Sequence, residues 1–342
     1  MTDDDARANR PARLAEVARR AGVSLATASK ALNGKDRISD GTRRRVVAAA
    51  EELAYPLLGA PGAVAQGRTG TVGLLTSDLE GRFSLPILMA AEDTFGAGSV
   101  SVFLCNARGD AIRERHYVSA LLGRRVDAIM VVGSRTDARM PIGQNLPVPV
   151  VYVYTPSADP TDFSLTPDNV GGGRMALQHL LDTGHSRIVH ITGPHGEQAA
   201  IDRARGIRDV LAQRRMELVY ETSHGEWSEH WGRTACATLI ERGYVFDALL
   251  CDSDQIARGA LDALRERSIA VPGALAVIGF DDWDSIVLGT HPPLTSVGMN
   301  LDLLGRLAAQ RLFDAMDGMA LPQETVQLNC TLSVRGSTAR SI

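Results

Sequence analysis

The stretch from Arg13 to Gly34, RLAEVARRAGVSLATASKALNG, decides how the head of this chain folds. It predicts two short helices joined by a tight turn. Gly22 permits the backbone to reverse between them, because glycine has no β-carbon to resist a positive φ. Ser24 is suited to the N-cap of the second helix, where its hydroxyl accepts a hydrogen bond from a free backbone amide. The pattern is typical of a helix-turn-helix, whose second helix lies in the major groove of DNA.

The residues that flank this stretch favour DNA binding over the alternative, a helical hairpin within a larger α domain. Residues 39–53 predict a third helix, with Val46, Ala50 and Leu53 spaced toward a common core. Residues 7–50 contain 11 Lys or Arg against 3 Asp or Glu, whereas the whole chain has a formal net charge of −4. A basic head on an acidic body is what contact with DNA phosphates predicts.

Length and composition indicate a globular protein that has a small head and a body of two lobes, since the chain has 342 residues of which 44% are hydrophobic. The polar beginning has no apolar stretch like that of a secretory signal, and no run reaches membrane-spanning length. We therefore expect a cytoplasmic protein without membrane contact. The four cysteines lie far apart and predict reduced core residues.

Motifs of catalysis are missing from the sequence. Lys30 and Lys35 are the only lysines, so the body offers no P-loop, Schiff-base or general-base lysine. There is no G-x-S-x-G or H-E-x-x-H pattern, and the histidines have no metal-ligand spacing. The glycines at 171–173 start a helical pattern and are interpreted as close packing rather than a phosphate loop. We predict that the protein is not an enzyme and has no cofactor or metal.

In the body, apolar runs of strand length alternate with helical patterns. The candidate strands cover residues 72–76, 100–104, 128–132, 150–154, 188–192, 218–220, 248–251, 275–280 and 294–297. The candidate helices cover residues 87–95, 112–122, 170–181, 204–212, 231–241 and 256–266. Strands that are apolar on both faces, each followed by a helix, indicate parallel sheets covered on both sides. The predicted fold class is α/β, with two doubly wound parallel sheets.

Several motifs identify a family. Residues 18–34 follow A-x-x-A-G-V-S-x-x-T-x-S-x-x-L-N-G, with Ala28 at a position where valine is usual. The body adds D-N-x-x-G-x-x-x-A-x-x-H-L-x-x-x-G-H-x-x-I at 168–188, R-x-x-G at 203–206, S-D-x-x-A-x-G-A-L at 253–261, G-F-D-D at 279–282 and P-P-L-T-S-V at 292–297. In these motifs the chain resembles the LacI/GalR family of bacterial transcription regulators over roughly residues 13–310.

The resemblance implies a periplasmic-binding-protein-like core of two lobes and a homodimer. It also implies that a small-molecule effector changes the affinity for a near-palindromic double-stranded DNA operator. The boundaries predicted from it are a head at 1–55, a hinge at 56–69 and a core at 70–342. Lobe 1 is expected to comprise about 70–168 and 300–326, and lobe 2 about 169–298 and 327–342.

The same resemblance implies a set of DNA-binding residues. They are Ser24, Leu25, Ala26, Thr27, Ser29, Lys30 and Asn33 in the head and Val64 in the hinge. Lys30 can donate to O6 and N7 of guanine, and Leu25 can pack on a thymine methyl group. The alternative for Lys30 is a phosphate contact, which positions the protein without specifying sequence.

The hinge departs from the family pattern. Relatives form a short helix there, from which a leucine enters the minor groove, and Val64 takes the place of that leucine. Pro61 and Gly62 fall inside the expected helix. A proline removes an amide donor and clashes with the preceding turn, and glycine also disfavours helix. We therefore predict a weak or absent hinge helix.

The expected effector site lies beyond the carboxyl ends of the body strands, where such folds bind ligands. Its candidate residues are Arg82, Phe83, Tyr154, Arg203, Trp227, Ser253 and Asp281. Arg203 offers a planar fork of donors, Asp281 accepts from hydroxyls, and Trp227 offers a ring face on which a sugar can stack. The alternatives are a core role for Trp227, a surface salt bridge for Arg203 and a helix cap at Asp281. Tyr154 stands where several sugar-responsive relatives carry aspartate.

The sequence thus predicts a DNA-binding transcriptional regulator, a repressor released by a small sugar or glycoside. One alternative is a regulator whose ligand, a nucleobase or another metabolite, strengthens DNA binding. A second is an α/β sugar-processing enzyme with a DNA-binding head, and a third is a plain solute-binding protein. The third lacks support because the head is basic and no secretion signal is present.

Overall fold

The computed structural model describes residues 14–32, 38–53, 68–77, 79, 82–97 and 100–339. The helices are α1 (Leu14–Ala21), α2 (Leu25–Leu32), α3 (Asp40–Glu52), α4 (Ser84–Ala97), α5 (Ala111–Gly123), α6 (Asn169–Asp182), α7 (Gln198–Arg214), α8 (Glu229–Glu241), α9 (Asp254–Glu266), α10 (Asp284–Val287) and α11 (Leu301–Met316). The strands are β1 (Thr71–Thr76), β2 (Ser101–Asn106), β3 (Ala128–Val132), β4 (Val150–Val153), β5 (Phe163–Pro167), β6 (Ile188–Thr192), β7 (Ser223–His224), β8 (Ala248–Cys251), β9 (Ala276–Asp281), β10 (Thr295–Gly298), β11 (Thr325–Leu328) and β12 (Thr331–Ser333).

The head has the geometry that its sequence predicts. Gly22 adopts a φ of +64° between α1 and α2. The Ser24 hydroxyl accepts a hydrogen bond of 3.1 Å from the amide of Thr27, which caps α2 as expected. Val17 of α1, Ala28 of α2 and Val46 of α3 are completely buried and, with their neighbours, form a small core of their own. The small side chain at 28 thus lies in the core of the head.

The body contains two six-stranded sheets. The first has the order β11-β5-β4-β3-β1-β2, and all its strands are parallel. The second has the order β12-β10-β9-β8-β6-β7, and only β12 is antiparallel to its neighbour. We call the first sheet with α4, α5 and α11 lobe 1, and the second sheet with α6 to α10 lobe 2. The α/β prediction is confirmed, with an antiparallel edge strand added to the second sheet.

The strand predictions failed in two ways. Residues 218–220 are not a strand, because the chain pairs with β6 later, at the two-residue strand β7. Three strands were also missed, namely β5, β11 and β12. All of β5 is buried although its sequence is FSLTP, so it lacks the apolar run on which the prediction relied. The last strand of lobe 1, β11, extends past the lobe boundary proposed at 326.

Two glycines bring α6 and α7 close together in lobe 2. A β-carbon at Gly173 of α6 would overlap the backbone carbonyl of Arg203 in α7. A β-carbon at Gly206 of α7 would overlap the carbonyl of Val170 in α6. Gly173 and Gly206 therefore allow the close packing of the two helices, and the backbone of Arg203 lies at this crossing.

Among the described residues, we find no helix that combines the length and the apolar character needed to cross a membrane.

Candidate functional site

The exposed face of α2 is the candidate DNA-binding surface. Leu25 is 54% exposed, and Ala26 and Lys30 are exposed beside it. Ser24 is also exposed at the cap, whereas Thr27 and Ser29 are half-buried. Asn33 and Val64, like Pro61 and Gly62, lie outside the described residues. The face that the sequence assigns to DNA is therefore directed to solvent, with an apolar residue next to a cation.

A cavity of about 440 Å³ lies between the two lobes. Six of the seven predicted effector-binding residues line it, namely Arg82, Phe83, Tyr154, Arg203, Trp227 and Asp281. Its volume is within the range of small-molecule sites. Side chains from both lobes thus meet in one concave, partly aromatic site.

One buried carboxylate and two guanidinium groups form a buried charged cluster in the wall of the cavity. Arg82 Nη2 lies 2.8 Å from Asp281 Oδ2, and Arg203 Nη2 lies 3.9 Å from Asp281 Oδ1. All three side chains are at least mostly buried. Burial raises the pKa of Asp281, and the charges of Arg82 and Arg203 act in the opposite direction. The pairing lets a buried carboxylate remain an acceptor for ligand hydroxyls.

Arg203 is part of the interior of lobe 2. Its Nε donates to Asn169 Oδ1 at 2.9 Å, and its Nη1 donates to the carbonyl of Asp252. The guanidinium also lies 3.6 Å from the ring centre of Phe280. Arg203 is only 2% exposed, so the alternative of a surface salt bridge does not apply. The remaining guanidinium nitrogen, Nη2, is directed toward Asp281 and the cavity.

Aromatic rings form other parts of the wall. Trp227 is half-buried and donates from Nε1 to Glu197 Oε2 at 2.6 Å, which fixes its ring at the cavity. Phe83 and Tyr154 stack with ring centres 5.1 Å apart. Tyr154 has a φ of +70°, which is unusual for an aromatic residue, and burial raises the pKa of its hydroxyl. Strained backbone of this kind is often found at functional sites.

The turn after β9 presents Asp281 to the cavity. Asp281 and Asp282 have φ values of 110° and 54°, so both are in conformations that favour glycine. Asp282 is held by Nη1 of Arg335 at 2.7 Å and by the hydroxyl of Ser333 at 2.6 Å. Residues near the chain end therefore stabilise the strained turn that carries the cavity carboxylate.

A second buried carboxylate, that of Asp254, makes hydrogen bonds that stabilise the same turn. Asp254 accepts from the amide of Trp283 at 2.8 Å and from the hydroxyl of Ser296 at 2.6 Å. Burial and the nearby charge of Asp281 raise the pKa of Asp254 well above its ordinary value. The two carboxylate oxygens of Asp254 therefore tie the turn to β10.

The prediction for Ser253 needs correction. Ser253 is completely buried at the N-terminus of α9, where its hydroxyl accepts from the amide of Ile256 at 3.2 Å. It caps the helix and does not line the cavity. Other lining residues were not predicted from the sequence, namely Ser134, Arg135, Thr136, Asp137, Glu197, Ala199, Gln255 and Trp283. Residues 134–137 follow the carboxyl end of β3, so the strand-end rule could have found them.

Comparison with known proteins matches the head and the core to two families. Residues 13–56 match the family "Bacterial regulatory proteins, lacI family", and residues 177–338 match "Periplasmic binding protein-like domain". The regulator CelR of Thermobifida fusca is 32% identical over 94% of this chain and 96% of its own. The ribose operon repressor of Escherichia coli strain K12 is 32% identical over 95% of this chain and 99% of its own.

Solved structures show the same likeness. The lac repressor dimer bound to operator and an anti-inducer has a TM-score of 0.73 at 27% identity, covering 97% of this chain and 100% of its own. A complex of CelR with cellobiose has a TM-score of 0.65 at 31% identity, covering 96% of this chain and 100% of its own. With its helix-turn-helix head, its two-lobed core and relatives matched along almost the whole length, the chain belongs to the LacI family of bacterial transcriptional regulators.

Proposed function

We propose that this protein is a cytoplasmic repressor that binds a near-palindromic operator as a homodimer and is released when a neutral sugar or short glycoside occupies the cavity between its lobes. It acts by binding rather than by catalysis. The observation that carries the proposal is the cavity itself, in which Asp281 and Arg203 lie beside the aromatic side chains of Trp227 and Phe83.

The chemistry of this cavity suits a sugar. A carboxylate paired with guanidinium groups can accept from and donate to neighbouring hydroxyls, and such charge-assisted hydrogen bonds are stronger than neutral ones. An aromatic face covers the apolar C–H surface of a pyranose. The relatives named for ribose and solved with cellobiose support the same ligand class.

A second ligand class is favoured by one observation. The stacked pair Phe83 and Tyr154 presents aromatic surface to the cavity, and a planar nucleobase could stack on such surface. The two ligand classes need different protein groups. The edge of a nucleobase needs few groups that bind hydroxyls, whereas a sugar uses the charged side chains around Asp281.

A thermal-shift panel tests the effector class. Cellobiose and ribose are compared with hypoxanthine, and we expect a sugar to raise the melting temperature of the full chain. At about 100 times the dissociation constant the stabilisation should be about 2.7 kcal/mol. Operator affinity measured with the same sugar should fall. If hypoxanthine stabilises the protein and tightens operator binding, the sugar proposal is replaced by the corepressor alternative, and turnover of the sugar would indicate an enzyme.

A lysine substitution tests how the head reads DNA. Lys30→Ala should relax the preference at one base pair in each half-site by about 1–3 kcal/mol, on the proposal that its exposed ammonium donates to a guanine edge. The measurement is binding to a set of operators that vary at each position, at several salt concentrations. Equal weakening on all operators, with a shallower salt dependence, would show that Lys30 binds only phosphate.

A further inference from the structure

The two lobes are joined across the cavity by a buried contact of Arg82. Arg82 lies between β1 and α4 in lobe 1, whereas its partner Asp281 ends β9 in lobe 2. The two side chains are 12% and 2% exposed, and 2.8 Å separates their nearest charged atoms. Such a desolvated pair costs free energy to separate unless other groups replace it.

Aromatic rings from both lobes enclose the guanidinium of Arg82. Its carbon lies 4.6 Å from the ring centre of Phe83 in lobe 1 and 5.4 Å from that of Trp283 in lobe 2. Arg82 and Trp283 line the 440 Å³ cavity and also a neighbouring cavity of 360 Å³ near the connections between the lobes. Phe83 and Asp281 line both cavities as well, so these four side chains lie where the two spaces adjoin.

A second set of contacts joins the lobes at the other side of the cavity, but it is weaker. Arg135 Nη1 lies 3.3 Å from Glu197 Oε1, and the Arg135 side chain is 66% exposed. The amide of Gln198 donates to Asp137 Oδ1 at 3.1 Å. Solvent screens the exposed ion pair, so the buried contact of Arg82 is the main polar tie between the lobes in the described structure.

We propose that Arg82 is an internal competitor of the effector, which occupies Asp281 and holds the lobes together until effector hydroxyls take its place. The proposal rests on the sugar-binding function proposed above and adds its regulation. A ligand hydroxyl that donates to Asp281 Oδ2 from the side where Arg82 now lies takes the position of Arg82 Nη2, which is 2.8 Å from that oxygen. The effector therefore binds against a preformed contact, and its apparent affinity equals its intrinsic affinity multiplied by the fraction of molecules in which Arg82 is released.

The test compares two arginine substitutions in the full-length protein. Arg82→Met removes the contact between the lobes. Arg139→Met removes a partly buried ion pair within lobe 1, in which Arg139 Nη2 lies 2.5 Å from Glu114 Oε1, and serves as the control. Arg139 does not line the cavity. Should Arg82→Met fail to fold, Arg82→Gln replaces it, because glutamine is polar but uncharged and its shorter side chain does not restore the ion pair with Asp281.

Two measurements decide. Small-angle scattering without ligand should show a larger radius of gyration for Arg82→Met than for Arg139→Met and the unaltered protein. Calorimetric titration with cellobiose should show about tenfold tighter binding for Arg82→Met alone. An unchanged radius overturns the tie between the lobes, and weaker cellobiose binding overturns the competitor role by making Arg82 a direct ligand contact. If cellobiose binds to none of the proteins, the proposed ligand fails, and scattering still decides the role of Arg82.

Discussion

Replacing Arg203 by alanine is expected to abolish the response to the effector and to lower the free energy of unfolding by about 3–5 kcal/mol, the usual cost of removing one partner from a buried ionic network. The substitution leaves Asp281 with Arg82 alone. It also removes the donors to Asn169 and to the carbonyl of Asp252. Operator binding should survive, because the head has its own core.

A matched control separates the site from general stability. Arg174 of α6 pairs with Asp209 of α7, so it joins the same two helices as Arg203, but the two side chains are 48% and 38% exposed. Arg174→Ala should cost at most about 1 kcal/mol and leave the effector affinity unchanged. Chemical unfolding measures the free energy of unfolding of each variant. Calorimetry with cellobiose, at a temperature where both variants are folded, measures the effector affinity. Unchanged effector affinity in Arg203→Ala would move the site away from this cavity.

Gly173→Ala is expected to have the second large effect. A methyl group there overlaps the carbonyl of Arg203, and backbone cannot rotate aside as a side chain can. Helices α6 and α7 must separate, at a cost of about 1–3 kcal/mol. Because the obstructed carbonyl belongs to Arg203, the shift also moves its guanidinium away from Asp281, and effector affinity should fall together with stability.

Another helical glycine provides the opposite expectation. Gly123 ends α5 and has open space where a β-carbon would be. Gly123→Ala should therefore raise stability by up to about 1 kcal/mol, since alanine favours helix. If packing at Gly173 is as tight as the structure indicates, urea unfolding shows a lower free energy of unfolding for Gly173→Ala and a higher one for Gly123→Ala than for the unaltered protein. A stabilised Gly173→Ala protein would contradict the close crossing of α6 and α7.

The sequence predicted most of the sheet core, because strands such as β3 and β8 are continuous apolar runs. It missed β5, where buried polar residues take part in specific hydrogen bonds, as Ser164 does when its hydroxyl accepts from the amide of Ser157 at 3.0 Å. The predicted strand at 218–220 is wrong because apolar character alone cannot tell where an edge strand begins to pair.

In the site, as in the sheets, local sequence patterns predicted some residues, but contacts between distant parts of the chain were not predicted. Arg203 and Asp281 were found through their motifs, and both line the cavity. Ser253 was misassigned because a serine before a helix has the same sequence pattern whether it caps the helix or faces a ligand. The pairing of Arg82 with Asp281 depends on how two lobes approach, and no local pattern in the sequence reports that.

Strands β11 and β12 follow all the other described strands and helices in chain order, and this order has a consequence for biosynthesis. Each of these strands completes one of the two sheets, and Arg335, which follows them, holds the turn of Asp281. The head, by contrast, is complete once residues up to 53 have left the ribosome. Since chains fold from the N-terminus as they are made, each new molecule has its DNA-reading helix before it has a finished regulatory core. Translation that stops before residue 325 would leave a head without a working effector site.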